Sequence, residues 1–282
     1  MAYYNRRRQL INTLNSIEQY NGYNSGRDIE VIIVDDCSDK EERVDDLPDK
    51  FKMPIFVVPI TQKFKKHSWS CPVITFNIGF NFVTGDAVII QNPENMHVGD
   101  IVGEVIKRIK KDTYLSFACY SMSEKDTEKL HQKINSDFVF TGEAIKRAVG
   151  SFVGFVHGWK DGDTCWYNHS VYRSGYNYFC CALPRQNLEK MAGFDERYAK
   201  GIAYDDCEFL ERLARLPIKR IAIDDPFVIH QFHPVTQYKK HEKKFLYNRK
   251  IFMGVTCKGK FTRAPKNKFY NPIFFNFEPK KS

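Results

Sequence analysis

The chain has 282 residues, of which 43% are hydrophobic and 27% charged. This is the balance of a globular protein and not of a disordered one. No apolar run approaches the ~18 residues that a bilayer-spanning helix needs. The formal charge of +9 is unevenly placed: Gln237 to Ser282 carries 13 Lys and Arg against Glu242 and Glu278, which leaves the rest close to neutral.

The elements alternate along the chain. Leu10 to Tyr20 has helical spacing. Glu30 to Asp35 and Ile55 to Pro59 are short apolar runs rich in β-branched residues, as buried strands are. Val73 to Val83 is expected as a helix, Ala87 to Gln91 as a strand, and Val98 to Lys111 as an amphipathic helix. Tyr114 to Tyr120 is a further strand and Glu124 to Asn135 a charged helix. Strands alternating with helices at this spacing argue for an α/β fold with a mostly parallel sheet covered on both faces. In such sheets ligands bind at the carboxyl ends of the strands.

The second half reads differently. Thr141 to Gly175, rich in Gly, His and Trp, is expected to be a long functional loop. Tyr176 to Ala182 is a strand, Arg185 to Met191 a short helix, and Asp205 to Arg215 a helix with an acidic first turn. Lys219 to Ile223 and Val228 to His233 close the set. Tyr3-Tyr4-Asn5 has the look of the carboxyl end of a very short first strand. One domain, residues 1–236, with a basic C-terminal extension, residues 237–282, is the simplest organisation.

None of the eight cysteines forms a Cys-x-x-Cys pair, and Cys165, His169 and Cys180 match no common zinc spacing. The first residues contain no apolar leader region, so the thiols are expected to be reduced and the compartment cytoplasmic. No Gly-x-Gly-x-x-Gly follows a strand, which argues against a dinucleotide-binding oxidoreductase.

Four polar clusters stand where chemistry is expected. Asp35 and Asp36 end a buried strand; they are ligands to something above the sheet or caps for the next helix. Asn92-Pro93-Glu94 ends another strand, and Asn and Glu are oxygen ligands suited to Mg²⁺ or Mn²⁺. Asp205 and Asp206 are neighbours whose mutual repulsion raises a pKa, as a general base requires, or they are an acidic helix start. His230 and His233 are metal ligands or core histidines.

Taken in order, these pieces resemble the nucleotide-sugar-dependent glycosyltransferases of family 2, with the GT-A fold. The matching elements are Tyr4-Asn5-Arg6, Val34-Asp35-Asp36-Cys37-Ser38, Asn77-Ile78-Gly79, Gly85-Asp86 leading to Asn92-Pro93-Glu94, and Gly193-Phe194-Asp195-Glu196 leading to Asp205-Asp206. The resemblance implies that Tyr4 packs on the nucleotide base and Asp36 bonds it, usually uracil. Asn5, Arg6, Asp35, Asn77 and Asn92 then belong to the donor site. It further implies that Glu94 holds a divalent metal, Mn²⁺ or Mg²⁺, with His230 or His233 as a late ligand. Asp206 stands as the catalytic base and Asp205 as the residue that orients the acceptor. Trp159 and Trp166 fall where relatives bind acceptor sugar, and aromatic faces suit a pyranose.

The implied reaction is an inverting transfer from a nucleotide-sugar, with UDP as the expected nucleotide, to a hydroxyl of a glycan or other acceptor. The sequence departs from the family at one place. Asn92 and Glu94 stand for the two aspartates of Asp-x-Asp, so a carboxylate is kept at the second position and metal dependence is expected to persist. A catalytically inactive nucleotide- or glycan-binding relative is the alternative. The tail, with ten Phe and Tyr, has three roles open to it: covering the donor phosphates, binding an anionic acceptor, or lying on an anionic membrane surface. Packing on the body with some phosphate contact is the expectation. A nucleic-acid-binding protein is the remaining reading, and no specific nucleic-acid partner is expected.

Overall fold

A computed structural model describes residues 1–21, 28–61, 69–134, 165–234, 241–265 and 267–270. Two sheets form the frame. The first is parallel and three-stranded, in the order β1 (Ala2–Tyr3), β2 (Val31–Asp35), β3 (Ile55–Pro59). β1 has two residues, yet it is in register, with Ala2 opposite Val34 and Tyr3 opposite Asp35. Helix α1 (Arg7–Asn21) buries Leu10, Leu14 and Ile17 in a cluster with Ile33, Val44, Leu47 and Ile55. The i, i+4, i+7 spacing of those three residues is the stripe read from the sequence.

The second sheet is mixed, which corrects the expectation of a mostly parallel one. It contains β4 (Ala87–Gln91), β5 (Asn95–Val98), β6 (Thr113–Ser121), β7 (Cys165–Asn168), β8 (Cys180–Pro184) and β9 (Lys219–His230). The order is β4-β8-β6-β9-β5, with β7 also paired to β6. β6 runs parallel to β9 and antiparallel to β7 and β8. β6 is buried along its whole length. A strand covered on both faces reads as a continuous apolar run whichever way its neighbours run, so direction was not legible in it.

Several boundaries also differ, and the strand expected over Tyr176 to Ala182 is β8, Cys180–Pro184. α2 (Val73–Phe80) and α3 (Ile101–Arg108) are shorter than expected. Val98, the expected start of α3, is the last residue of β5, and Asp100 caps the helix by accepting from Gly103 N at 2.8 Å. The segment read as one long loop contains β7. The two strands expected between Lys219 and His233 are one, β9.

Three helices complete the site's support. They are α4 (Glu124–Ile134), α5 (Arg185–Met191) and α6 (Asp205–Leu213). In α6 the fully buried Arg212 pairs with Glu208 one turn earlier, at 2.5 Å, and donates to the carbonyls of Met191 and Gly193. Within the basic extension, α7 (Glu242–Ile251) packs on the turn Glu196–Lys200. Farther on, Ala264 N donates to Met191 O and Asn267 Nδ2 to Phe194 O.

Candidate active site

Glu94 lies in the turn that links β4 to β5, and its side chain is 2% exposed. Its two oxygens face different partners. Oε2 accepts from Arg6 Nη1 at 2.9 Å. Oε1 lies 3.3 Å from His230 Nε2 and 3.5 Å from His233 Nε2. Burial alone would raise the carboxyl pKa, but Arg6 and the two histidines overcome it and hold the group well below the ordinary carboxylate range. Burial moves the His230 pKa the other way, down, against the pull of Glu94. A buried ionised carboxylate facing a neutral imidazole is the state a metal ligand set needs.

Ligand atoms of Glu94, His230 and His233 all lie within 4.8 Å of one another. One carboxylate oxygen and two imidazole nitrogens fit a divalent cation such as Mn²⁺. Gln231, between the histidines, fixes their approach. It is fully buried, donates to the carbonyls of Glu94 and Gln9 at 3.0 Å each, and accepts from Asn12 and faces His131 through Oε1. α1, α4, β9 and the Glu94 turn are thereby tied at one side chain.

The carboxyl ends of β1 and β2 lie beside this cluster. Asp36 N donates to Tyr3 O at 2.8 Å, and Asp35 is buried with Oδ1 accepting from Ser38 N at 2.9 Å. Tyr4 is half exposed. Asn5 has φ of 47°, and its carboxamide is spent on Asp39: Nδ2 donates to Asp39 Oδ2 at 2.7 Å and Oδ1 accepts from Asp39 N at 2.8 Å. Asn5 therefore clamps the loops after the two strand ends together. Asn92 is partly exposed, and its backbone N–H donates to Phe179 O at 3.2 Å.

Asp205 and Asp206 open α6. The chain enters them through two successive non-glycine residues in the left-handed region, Ala203 at φ 61° and Tyr204 at φ 66°. Such positions cost about 1–3 kcal/mol each and persist only when surroundings impose them. Asn248 of α7 supplies part of that constraint by donating to Ala203 O at 2.7 Å. Asp205 is buried and accepts from the Tyr178 hydroxyl. Burial, then the charge of Asp206, raises its pKa to about 6. Asp206 is partly exposed and caps Cys207 N at 2.7 Å.

Two consecutive residues join the halves. Tyr178 bonds Asp205, while the ring of Phe179 meets that of His230 edge-on at 6.1 Å. Burial lowers the pKa of Arg173, and the charge of Asp206 opposes that shift. Tyr178, Phe179, Arg173 and Gln231 were not singled out from the sequence. Only Gln231, a buried-type amide flanked by two candidate ligands, carried a local signal.

Two expected site residues are structural. Asn77 is fully buried in α2 and holds the turn at Gly193: Nδ2 donates to Phe194 O at 2.9 Å and Oδ1 accepts from Phe194 N at 2.8 Å. Gly193 has φ of 64°, and a Cβ there would stand 2.3 Å from Asn77 Oδ1, so only glycine fits. Both ends of the Asn77 amide are thus turned to the Gly193 turn. Trp166 lies on β7 and is 8% exposed, packed edge-on against Tyr120 at 5.0 Å and Phe227 at 5.7 Å. It is a core residue and presents no open face to a sugar. Trp159 lies outside the described residues.

Solved structures share this fold. A mannosyltransferase from Pyrobaculum calidifontis, in complex with GDP-Man and Mn²⁺, matches with TM-score 0.51 at 14% identity, covering 94% of this chain and 64% of that one. TarS of S. aureus matches with TM-score 0.52 at 13% identity, covering 89% of this chain and 38% of that one. TarS residues 1–349 in complex with UDP-GlcNAc match with TM-score 0.51 at 13% identity, covering 85% and 59%. This chain thus spans between 38% and 64% of the length of those proteins. A comparison with curated protein sequences gives no match. The architecture is the α/β fold of GT-A glycosyltransferases. The sequence profile of glycosyl transferase family 2 matches residues 1–172, and the chain belongs to that family. Asp35, Asp36, Asn92 and Glu94 lie within the matched stretch. Asp205, Asp206, His230 and His233 lie beyond it, and the fold brings them to it.

Proposed function

We propose that the protein is an inverting glycosyltransferase that moves a sugar from a UDP-sugar to a hydroxyl of a glycan acceptor. The observation that carries this reading is the convergence of Glu94, His230 and His233 beside the carboxyl ends of β1 and β2. In this reading Tyr4 and Asp36 take the nucleotide base, and Asn92 and Arg6 lie along the path to the phosphates. The neighbour solved with GDP-Man and Mn²⁺ supports a metal-assisted donor site, and the one solved with UDP-GlcNAc supports the choice of uridine.

Glu94, His230 and His233 would hold the divalent cation. When bound, it supplies positive charge against the leaving diphosphate. The chain's own residues do the rest. Asp206, the more exposed of the pair, accepts the proton of the acceptor hydroxyl as that oxygen attacks the anomeric carbon. The bond to the diphosphate breaks on the opposite face, so configuration inverts. Asp205, held by Tyr178, orients the acceptor. Arg6, still paired to Glu94, adds positive charge on the phosphate side.

The test is nucleotide release from a panel of UDP-, GDP- and dTDP-sugars, with water or added glycans as acceptor. Release of UDP that falls about 10²–10⁴-fold in Asp206→Asn supports the reading. Binding of nucleotide with no release from any donor would place the protein among inactive relatives. Release that is unchanged in Asp206→Asn would remove Asp206 as the base.

A further inference from the structure

The function above leaves the outward side of the C-terminal extension unused. α7 has two distinct faces. Phe245, Asn248 and Phe252, at i, i+3 and i+7, point inward. Phe245 and Phe252 pack on the ring of Tyr204 at 5.2 and 5.4 Å, directly before Asp205. Lys243, Leu246, Tyr247 and Lys250, at i, i+3, i+4 and i+7, form the opposite, exposed stripe. The π-turn Phe252–Thr256 extends it with Met253 and Val255.

This stripe concentrates exposed apolar surface. Eight large hydrophobic side chains are exposed among the described residues, and four of them are Leu246, Tyr247, Met253 and Val255. Lys243, Arg249, Lys250, Lys258 and Lys260 surround them, all exposed and without an ion pair among the described residues. Glu242 is the one acidic residue between His241 and Pro265. Unpaired cations around protruding Leu, Met and Val side chains match a surface that is negative outside and apolar just beneath.

We propose that this outward face of α7 and the turn after it binds the surface of an anionic phospholipid bilayer. The apolar side chains enter the headgroup boundary and the basic ones meet the lipid phosphates and carboxylates. A single-stranded nucleic acid is the weaker match, because its bases stack on aromatic rings and Tyr247 is the only exposed ring on this face. Docking through α7 would hold Tyr204, and with it Asp205 and Asp206, about one helix diameter (~10 Å) from the lipid surface. The proposal does not rest on the transferase reading, since lipid binding needs no donor.

The test is flotation of the full chain with phosphatidylcholine vesicles, with and without added phosphatidylserine. Two variants accompany the wild type: Leu246→Ser with Met253→Ser, and Arg249→Glu with Lys250→Glu. All four side chains are exposed, so thermal melting should be unchanged, which checks the fold. The wild type should float with the anionic vesicles at least ~10-fold better than with neutral ones, and less in high salt. Each variant should lose roughly 10-fold or more of that binding. Equal binding to both vesicle types, no flotation, or full binding by either variant would overturn the proposal. So would displacement from anionic vesicles by a single-stranded oligonucleotide that the Leu246→Ser, Met253→Ser variant binds as well as the wild type does.

Discussion

Arg6 and Glu94 form an ion pair at 2.9 Å although 88 residues separate them. The pair ties the loop after β1 to the turn before β5, so it joins the carboxyl end of β1 to the two histidines. Removing one partner of such a pair leaves a charge out of water. Arg6→Met should therefore destabilise the metal-free protein by on the order of 2 kcal/mol, less than for a wholly buried pair because Arg6 keeps a third of its side chain in solvent. Added Mn²⁺ should restore part of the loss by supplying another cation to Glu94. Thermal melts with and without Mn²⁺ check both parts.

Asp205 has a pKa raised from 3.8 to about 6 by burial and by Asp206. A raised carboxyl pKa means the folded state favours the protonated form. That stabilisation is complete below about pH 4 and is lost as pH rises through about 6. Asp205→Asn should thus gain stability relative to wild type between pH 4 and pH 7, by on the order of 2 kcal/mol at the upper end. Urea unfolding at both pH values measures it. A constant difference across that range would contradict the raised value.

Gln231 satisfies polar groups from three parts of the chain at full burial. Gln231→Leu should cost about 2–4 kcal/mol, because it strips partners from buried groups of α1, α4 and the Glu94 turn. Weaker Mn²⁺ binding should accompany it, since His230 and His233 lose their anchor. A titration of Mn²⁺ by calorimetry, at a temperature where the variant is folded, separates that effect from simple unfolding.

Asn77 tests the distinction between a donor contact and a structural clamp. Asn77→Ala should cost about 2–3 kcal/mol through the unpaired Phe194 N–H and carbonyl. Its affinity for UDP should stay within about twofold of wild type where both are folded. A large loss of UDP affinity without loss of stability would restore the donor role.

Much of the site was legible because its residues stand at the ends of strongly apolar strands. Asp35 ends Val-Ile-Ile-Val, and Glu94 follows Val-Ile-Ile-Gln, so burial and polarity change over a few residues. Asp205 and Asp206 announce a helix start through charge alone. β5 was hidden because Asn95 and His97 are polar yet buried: His97 Nε2 faces Gln91 Oε1 at 2.8 Å, and Gln91 Nε2 donates to Asn95 O. β5 is buried along its whole length, so its polar side chains mark no solvent face. Asn77 and Trp166 are ambiguous in the sequence for the complementary reason. An amide and an indole suit a ligand site as well as a core, and only the partners at Phe194, Tyr120 and Phe227 decide between them. The link from Tyr178 to Asp205 joins residues 27 apart, and no local pattern carries it.

The central claim is that Glu94, with His230 and His233, holds a cation that anchors a nucleoside diphosphate. Calorimetric titration of UDP into wild type and Glu94→Gln, each with and without Mn²⁺, tests it most directly. Mn²⁺ should tighten UDP binding to the wild type at least ~10-fold, by linkage of the two ligands, and leave Glu94→Gln unchanged. Equal UDP affinity with and without Mn²⁺ in the wild type, or the same Mn²⁺ effect in Glu94→Gln, would contradict it.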